Sequence, residues 1–123
     1  MMNTEMRNQI ASIVKKYCGE QRIIDAATSK TVQEAEHHGA NARSTVAQRY
    51  YDAEQYVRHI SPAWATLDAT EQHILTEFYG HRTRRTGATG RLITEYGISA
   101  REVYYLCAKA RRHFADALKA TVL

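Results

Sequence analysis

Apolar residues recur at spacings of three, four, seven and eight positions from Met6 to Ala35. An α-helix returns to the same face about every 3.6 residues, so this spacing predicts one long amphipathic helix over residues 4–38. Gly39 supplies the stop at its C-terminal end. At about 1.5 Å per residue this helix would be roughly 50 Å long. A stripe of that length needs either a second helix or a second copy of the chain to cover it.

A second apolar pattern runs from Val46 to Ile60, again in steps of three and four. It predicts a second amphipathic helix, and the short connection between the two helices favours an antiparallel hairpin. Ser61 and Pro62 are expected to end this helix. Serine as a cap and proline at a first helical position would still permit a short helical turn through Trp64.

The next unit opens with a capping box, Asp68-x-x-Glu71. Apolar residues follow on one face and predict a helix from about Asp68 to Tyr79, closed by Gly80. Residues 81–90 contain three arginines and no apolar period, so this stretch is predicted to be a loop.

A short helix and a long helix are predicted after the loop. The buried side of the short helix lies within residues 92–96, and Gly97 ends it. A second capping box, Ser99-x-x-Glu102, opens the long helix, whose apolar residues continue to Leu118. A short helix, a turn with glycine and a capped longer helix form the arrangement of a helix-turn-helix.

Composition supports an all-α chain, because 123 residues include one proline and six glycines. We expect a helical hairpin over residues 1–60 for oligomerisation or partner docking, a linker over 61–66 and a helix-turn-helix DNA-binding domain over 67–123. The net charge is +4, but residues 81–123 carry nine of the 17 Lys and Arg residues and three of the 13 Asp and Glu residues. A basic segment at the predicted helix-turn-helix favours double-stranded DNA as partner over a solvated basic face.

The long helix is expected to present a basic and aromatic face to DNA. Arg101 can contact base edges or phosphates, and Tyr104 and Tyr105 can contact phosphates or thymine methyl groups. Three cations further along would clamp phosphates. The arginines of the loop would neutralise DNA charge if the loop lies beside the groove; a disordered insertion is the alternative. The predicted DNA-binding residues are Arg82, Arg84, Arg85, Arg91, Ser99, Ala100, Arg101, Tyr104, Tyr105, Lys109, Arg111 and Arg112.

Residues 67–79, LDATEQHILTEFY, resemble the opening helix of the sigma-factor region-four domain. Residues 92–103, LITEYGISAREV, together with residues 108–110, resemble its helix-turn-helix. With the N-terminal hairpin, the chain is similar to small phage transcriptional regulators of the ArpU and RinA type and to related prophage proteins. The resemblance covers about residues 67–118. It implies sequence-specific binding of double-stranded DNA by the helix that starts at Ala100, and RNA polymerase as a further partner of a transcription regulator.

The apolar stripe of the first helix is longer than the stripe of the second helix that would cover it. Burial of such a surface is favourable by about 25 cal/mol per Å². We therefore expect a homodimer, or docking of a partner protein, with Ile10, Ile13 and Tyr17 at the contact. In the competing arrangement, the segment with Trp64 packs over this stripe and leaves a monomer.

The residues give no sign of a catalytic or metal centre. The chain has no G-x-S-x-G, P-loop or G-x-G-x-x-G motif, and adjacent His37 and His38 would point in different directions on a helix. Cys18 and Cys107 fall beside apolar positions, which favours reduced packing residues over a disulfide. We expect no enzymatic activity, no metal or other cofactor and no small-molecule substrate.

The longest apolar run, Val103 to Ala108, has six residues, far fewer than the roughly 20 that cross a bilayer. The first ten residues also lack the features of a secretory signal. We expect a cytoplasmic protein with no membrane partner.

Two other functions remain open at this point. A protein-interaction module would dock on a polymerase or a repressor without touching DNA. A phage small terminase subunit also joins a helix-turn-helix to long oligomerising helices, but those proteins usually place the DNA-binding unit first. Salt-sensitive binding to random duplex DNA would separate DNA binding from the interaction module.

Overall fold

A computed structural model describes residues 3–26, 40–81 and 86–122, and in these ranges the protein is all-α without any strand. The prediction of an all-α chain is thereby confirmed for these ranges. The helices are α1 (Thr4–Ala26), α2 (Ala40–Ala65), α3 (Ala69–Leu75), α4 (Ala88–Tyr96) and α5 (Ala100–Val122). A π-helical turn, Thr76–Gly80, continues directly from α3.

Helix α1 follows the prediction over Thr4–Ala26, and the rest of the predicted helix, to residue 38, lies outside the described residues. The side chain of Asn3 accepts a hydrogen bond of 2.8 Å from the N–H of Met6, which satisfies a free donor at the start of the helix. Ile10 and Val14 of α1 are buried on its inner side. The regularly spaced apolar residues of this segment therefore form a buried helix face, as their spacing predicts.

Helices α1 and α2 pack against each other in antiparallel directions. Arg49 Nη1 lies 2.8 Å from Glu20 Oε2, and the hydroxyls of Tyr17 and Ser61 share a hydrogen bond of 3.2 Å. Positions later in α2 thus meet earlier positions in α1. Arg22 of α1 also donates a hydrogen bond of 2.8 Å to the carbonyl of Gly80, so α1 contacts the π-helical turn as well.

The prediction that Ser61 and Pro62 end the second helix is wrong, because α2 continues through Pro62 to Ala65. A proline in a helix removes one backbone hydrogen bond and crowds the preceding turn. Here the last turn gains buried contacts instead: Ala63 is fully buried, and the Trp64 ring lies 5.2 Å from that of Tyr17. Packing of this turn outweighs the local preference of proline.

Trp64 connects the first helix to the last helix through ring contacts. Its ring lies between Tyr17 of α1 and Phe114 of α5, which it meets edge-on at 5.5 Å between ring centroids. Buried residues from all five helices form one continuous cluster, and Trp64 packs against it. The segment 61–66, predicted as a linker, is therefore helical up to Ala65 and contributes to the same core. The largest fully buried side chains are Phe114, Ile74, Leu75, Leu92, Val14, Val103 and Cys107.

Helix α3 begins where the sequence predicts. The Asp68 side chain accepts from the N–H of Glu71 at 2.8 Å, and the Glu71 carboxylate accepts from the N–H of Asp68 at 3.2 Å. Both halves of the capping box are present. At the other end, Gly80 is buried against Cys18 of α1. A side chain at Gly80 would collide with the Cys18 sulfur, so this close approach requires glycine.

Candidate nucleic-acid interface

The turn between α4 and α5 is built around Gly97. This residue has φ +63°, a left-handed conformation that glycine adopts without steric cost, and its N–H donates to the carbonyl of Ile93 at 2.9 Å. Ile98 packs against the core, and the Ser99 hydroxyl accepts from the N–H of Glu102 at 3.1 Å. The glycine turn and the serine cap that the sequence predicts are both present. Together they fix the angle at which α5 leaves the turn.

The inner side of α5 belongs to the core. Val103, Ala110 and Phe114 are fully buried, and Leu118 is 9% exposed. These positions repeat at helical spacing, as the sequence predicts. The opposite side of α5 is therefore held toward solvent along the length of the helix.

The first turns of α5 expose an aromatic and basic surface. Tyr104 is 58% and Tyr105 64% exposed, and Ala100 and Arg101 are exposed beside them. Within the described residues, the side chains of Arg101, Tyr104 and Tyr105 have no hydrogen bond or ion pair. Two exposed rings beside a cation without a partner make this surface a candidate binding site. We call Ala100, Arg101, Tyr104 and Tyr105 the exposed face of α5.

Arg111, predicted to be part of a phosphate clamp, is engaged inside the protein. Its Nη1 donates to the Tyr79 hydroxyl at 2.9 Å and to Cys107 Sγ at 3.1 Å, and the residue is half-buried. Burial raises the pKa of Tyr79 and outweighs the opposing effect of the Arg111 charge. Arg111 therefore joins α5 to the π-helical turn. Of its two predicted companions, Arg112 is exposed and Lys109 is half-buried like Arg111.

Arg91 is likewise engaged inside the protein instead of being free for DNA. Its Nε lies 2.7 Å from Glu77 Oε2, and its Nη1 donates to the carbonyl of Thr86 at 2.9 Å. The predicted loop is also shorter than expected, because α4 already begins at Ala88. The remaining loop arginines of the prediction, Arg82, Arg84 and Arg85, lie outside the described residues.

Glu77 is a polar centre that the sequence reasoning missed. Its carboxylate contacts Arg91 and also lies 3.2 Å from His81 Nε2 and 4.0 Å from His73 Nε2. Burial alone would raise the pKa of Glu77, but Arg91 and His81 outweigh it and hold this pKa below its ordinary value. The spacing of four residues between His73, Glu77 and His81 was the signal available in the sequence.

Two further side-chain hydrogen bonds attach α3 to its neighbours. His73 Nε2 lies 2.8 Å from the Glu95 carboxylate of α4, and His113 of α5 pairs with Glu71. With the Arg91 contact, these pairs connect α3 and the π-helical turn to both helices beside the Gly97 turn. The helix that carries the exposed face of α5 is thus held to α3 and α4 by side-chain contacts.

Ile10 and Tyr17, predicted to lie at a dimer or partner interface, are buried within the chain. Ile10 is 4% and Tyr17 8% exposed, and Ile13 is partly buried against the same core. The physical reason is Trp64, whose ring covers Tyr17. The Trp64 ring therefore packs against the α1 stripe, as the competing arrangement expects of this segment.

Other chemistry is sparse in the described part of the chain. Cys18 and Cys107 are free, and burial raises the pKa of both thiols. Residues 3–26, 40–81 and 86–122 contain no group of three or more His, Cys, Asp or Glu side chains that could hold a metal ion. None of the helices described here is long and apolar enough to cross a bilayer. His37 and His38 lie outside these ranges.

Comparison of the chain with protein-family models, with curated proteins and with solved structures gave no match.

Proposed function

We propose that the protein binds double-stranded DNA in a sequence-specific manner and acts as a transcription regulator of the phage or prophage type. In this proposal α4, the Gly97 turn and α5 are a helix-turn-helix with α5 as recognition helix, and α1 and α2 are a hairpin folded onto it. The observation that carries the proposal is the exposed face of α5, directly after a fixed turn and without partners in the described chain.

The chemistry of this face suits the major groove. A guanidinium such as that of Arg101 can donate two hydrogen bonds to guanine O6 and N7, the commonest specific contact of this kind. The rings of Tyr104 and Tyr105 can contact thymine methyl groups, and their hydroxyls can donate to phosphates. Ala100 is small enough to let the helix N-terminus approach the bases closely. The groove, about 12 Å wide, admits one α-helix.

The support behind the face also favours recognition. Base contacts discriminate only when the side chains are held in a defined geometry. The pairs of Glu77 with Arg91 and of His73 with Glu95 hold α4 in place behind α5. Binding would cost little conformational entropy, because these elements are already fixed to each other.

Fluorescence anisotropy with labelled duplexes tests the proposal. We expect wild-type protein to bind random-sequence duplex at low salt, with an affinity that falls steeply as salt rises. On duplexes enriched from a random library, Arg101→Ala should reduce the preference for the selected sequence by about 1–3 kcal/mol, whereas it should change random-sequence binding little. Arg58→Ala, an exposed position on α2, is the matched control.

Absence of binding to any duplex at low salt would overturn the proposal. Exposed tyrosines are also typical of protein–protein interfaces, so that result would favour a docking module for RNA polymerase or a repressor. A homodimer remains a proposal as well, since a single helix makes few base contacts and paired half-sites raise specificity. Because Ile10 and Tyr17 are buried, such a dimer would use another surface.

A further inference from the structure

A groove of about 290 Å³ lies between the start of α1 and the second half of α5. Its apolar lining comes from Met6, Ala108 and Ala115. Its charged lining includes Arg7 and Lys119, which stand on different helices. The groove therefore exists only because α1 packs against α5.

The charge of this groove is strongly unbalanced. Arg7, Arg112 and Lys119 line it and are exposed, and among the described residues none of these three side chains has an ion-pair partner. Asp116 contributes the only carboxylate of the lining. Arg111 also lines it, and its buried Nε–H has no hydrogen-bond partner in the described chain. An anionic ligand would complement this site.

The groove continues the exposed face of α5. Arg101, Ala108, Arg112 and Lys119 are separated by seven, four and seven residues. At about 100° per residue these positions fall within a narrow sector of one helix face. Arg101 and Lys119 are separated by about 27 Å along this helix. A ligand that follows the exposed face toward its C-terminal end therefore meets the groove.

We propose that this groove binds the sugar–phosphate backbone of duplex DNA beside the recognition site, with Arg7 and Lys119 as phosphate contacts. The inference rests on the proposed function and adds a DNA contact from α1, which is not among the DNA-binding residues predicted from the sequence. The small Ala108 and Ala115 side chains leave room for deoxyribose, and phosphates would lie against the cationic rim. An acidic peptide would satisfy the charge but not the continuity with the exposed face.

The test measures the salt dependence of binding to a random-sequence duplex by fluorescence anisotropy. Each phosphate contact contributes about 0.9 to the slope of log affinity against log salt. Arg7→Gln and Lys119→Gln should each lower the slope by about 0.9, and the double variant by about 1.8. Lys15→Gln removes an equal charge from the exposed surface of α1 outside the groove and should leave the slope unchanged. Thermal midpoints equal to that of the wild type confirm that each variant is folded.

Three results would overturn the inference in distinguishable ways. Wild-type slopes for Arg7→Gln and Lys119→Gln, with DNA binding intact, refute the groove contact and leave the proposed function standing. Binding of a fluorescein-labelled oligoglutamate peptide that Arg7→Gln abolishes, with DNA slopes unchanged, assigns the groove to acidic peptides. Absence of wild-type binding to any duplex refutes both the proposed function and the groove contact.

Discussion

Replacing Ile10 by alanine tests whether α1 and the C-terminal helices share one core. Ile10 is 4% exposed and belongs to the cluster that also contains Leu92 and Phe114. Truncation of a buried isoleucine to alanine lowers the free energy of unfolding by about 2–5 kcal/mol, because less apolar surface is buried and a cavity remains. A domain of this kind has about 5–15 kcal/mol of total stability, so the loss is a large part of it.

The size of the expected thermal shift follows from the chain length of 123 residues. Unfolding entropy is about 2.1 cal/mol/K per residue, so each kcal/mol lowers the midpoint by about 4 °C. Ile10→Ala should therefore lower it by about 8–20 °C. Gln9→Ala, at an exposed position of the same helix, is the control and should change stability by about 0.5 kcal/mol or less.

Two probes decide whether the effect reaches the whole chain. Circular dichroism follows all helices, and the fluorescence of Trp64 follows the contact between Tyr17 and Phe114. One cooperative core predicts a single transition that Ile10→Ala shifts equally for both probes. Hydrogen exchange should show weaker protection in α5 as well as in α1. Loss of protection confined to α1, with α5 unchanged, would refute the shared core and support separate domains.

Three further predictions follow from individual positions. Gly80→Ala should lower the free energy of unfolding by about 1–3 kcal/mol, because its Cβ would lie 2.8 Å from Cys18 Sγ. In a double-mutant cycle of urea unfolding, Cys18→Ala should recover much of this loss. Purely additive losses would contradict the close packing of Gly80 against Cys18. Gly97→Ala should cost about 1–2 kcal/mol through strain at φ +63°, and an unchanged urea midpoint would contradict the turn geometry. The pKa of Glu77 is lower in the folded state than its unfolded value of about 4.3. Its ion pairs therefore stabilise the fold above that pH, and this stabilisation is lost as pH falls through the folded pKa. Glu77→Gln should reduce the loss of unfolding free energy at acid pH, and an unchanged pH dependence would contradict a stabilising role of these pairs.

The sequence predicted the elements whose signals are local. The capping box at Asp68 and the glycine turn at Gly97 depend on residues within a few positions of each other, and both are present in the structure. The buried side of α5 follows from spacing alone, because a helix repeats its faces whatever it packs against. Local chemistry also located the exposed Arg101 and its neighbouring tyrosines.

Errors arose where the deciding contact is distant along the chain. Pro62 ends many helices, but here the turn that follows it buries Trp64 between Tyr17 and Phe114. Arg91 has the charge of a DNA contact, yet a carboxylate 14 positions earlier holds it. Neither partner could be identified from spacing, since tertiary packing and not periodicity brings these residues together.

The two arginines at the middle of α5 show how the structure changes the interpretation of substitutions. Arg111 and Arg112 carry equal charge and are adjacent, so the sequence gives both the same role. Arg111 holds the Tyr79 hydroxyl and is half-buried, so its removal would leave a buried hydroxyl without its donor and would lower stability. Arg112 is exposed and lines the groove, so its removal would leave the fold intact. Under the proposed function, a loss of DNA affinity in Arg112→Ala would report a phosphate contact, whereas in Arg111→Ala it would also report the fraction of unfolded protein.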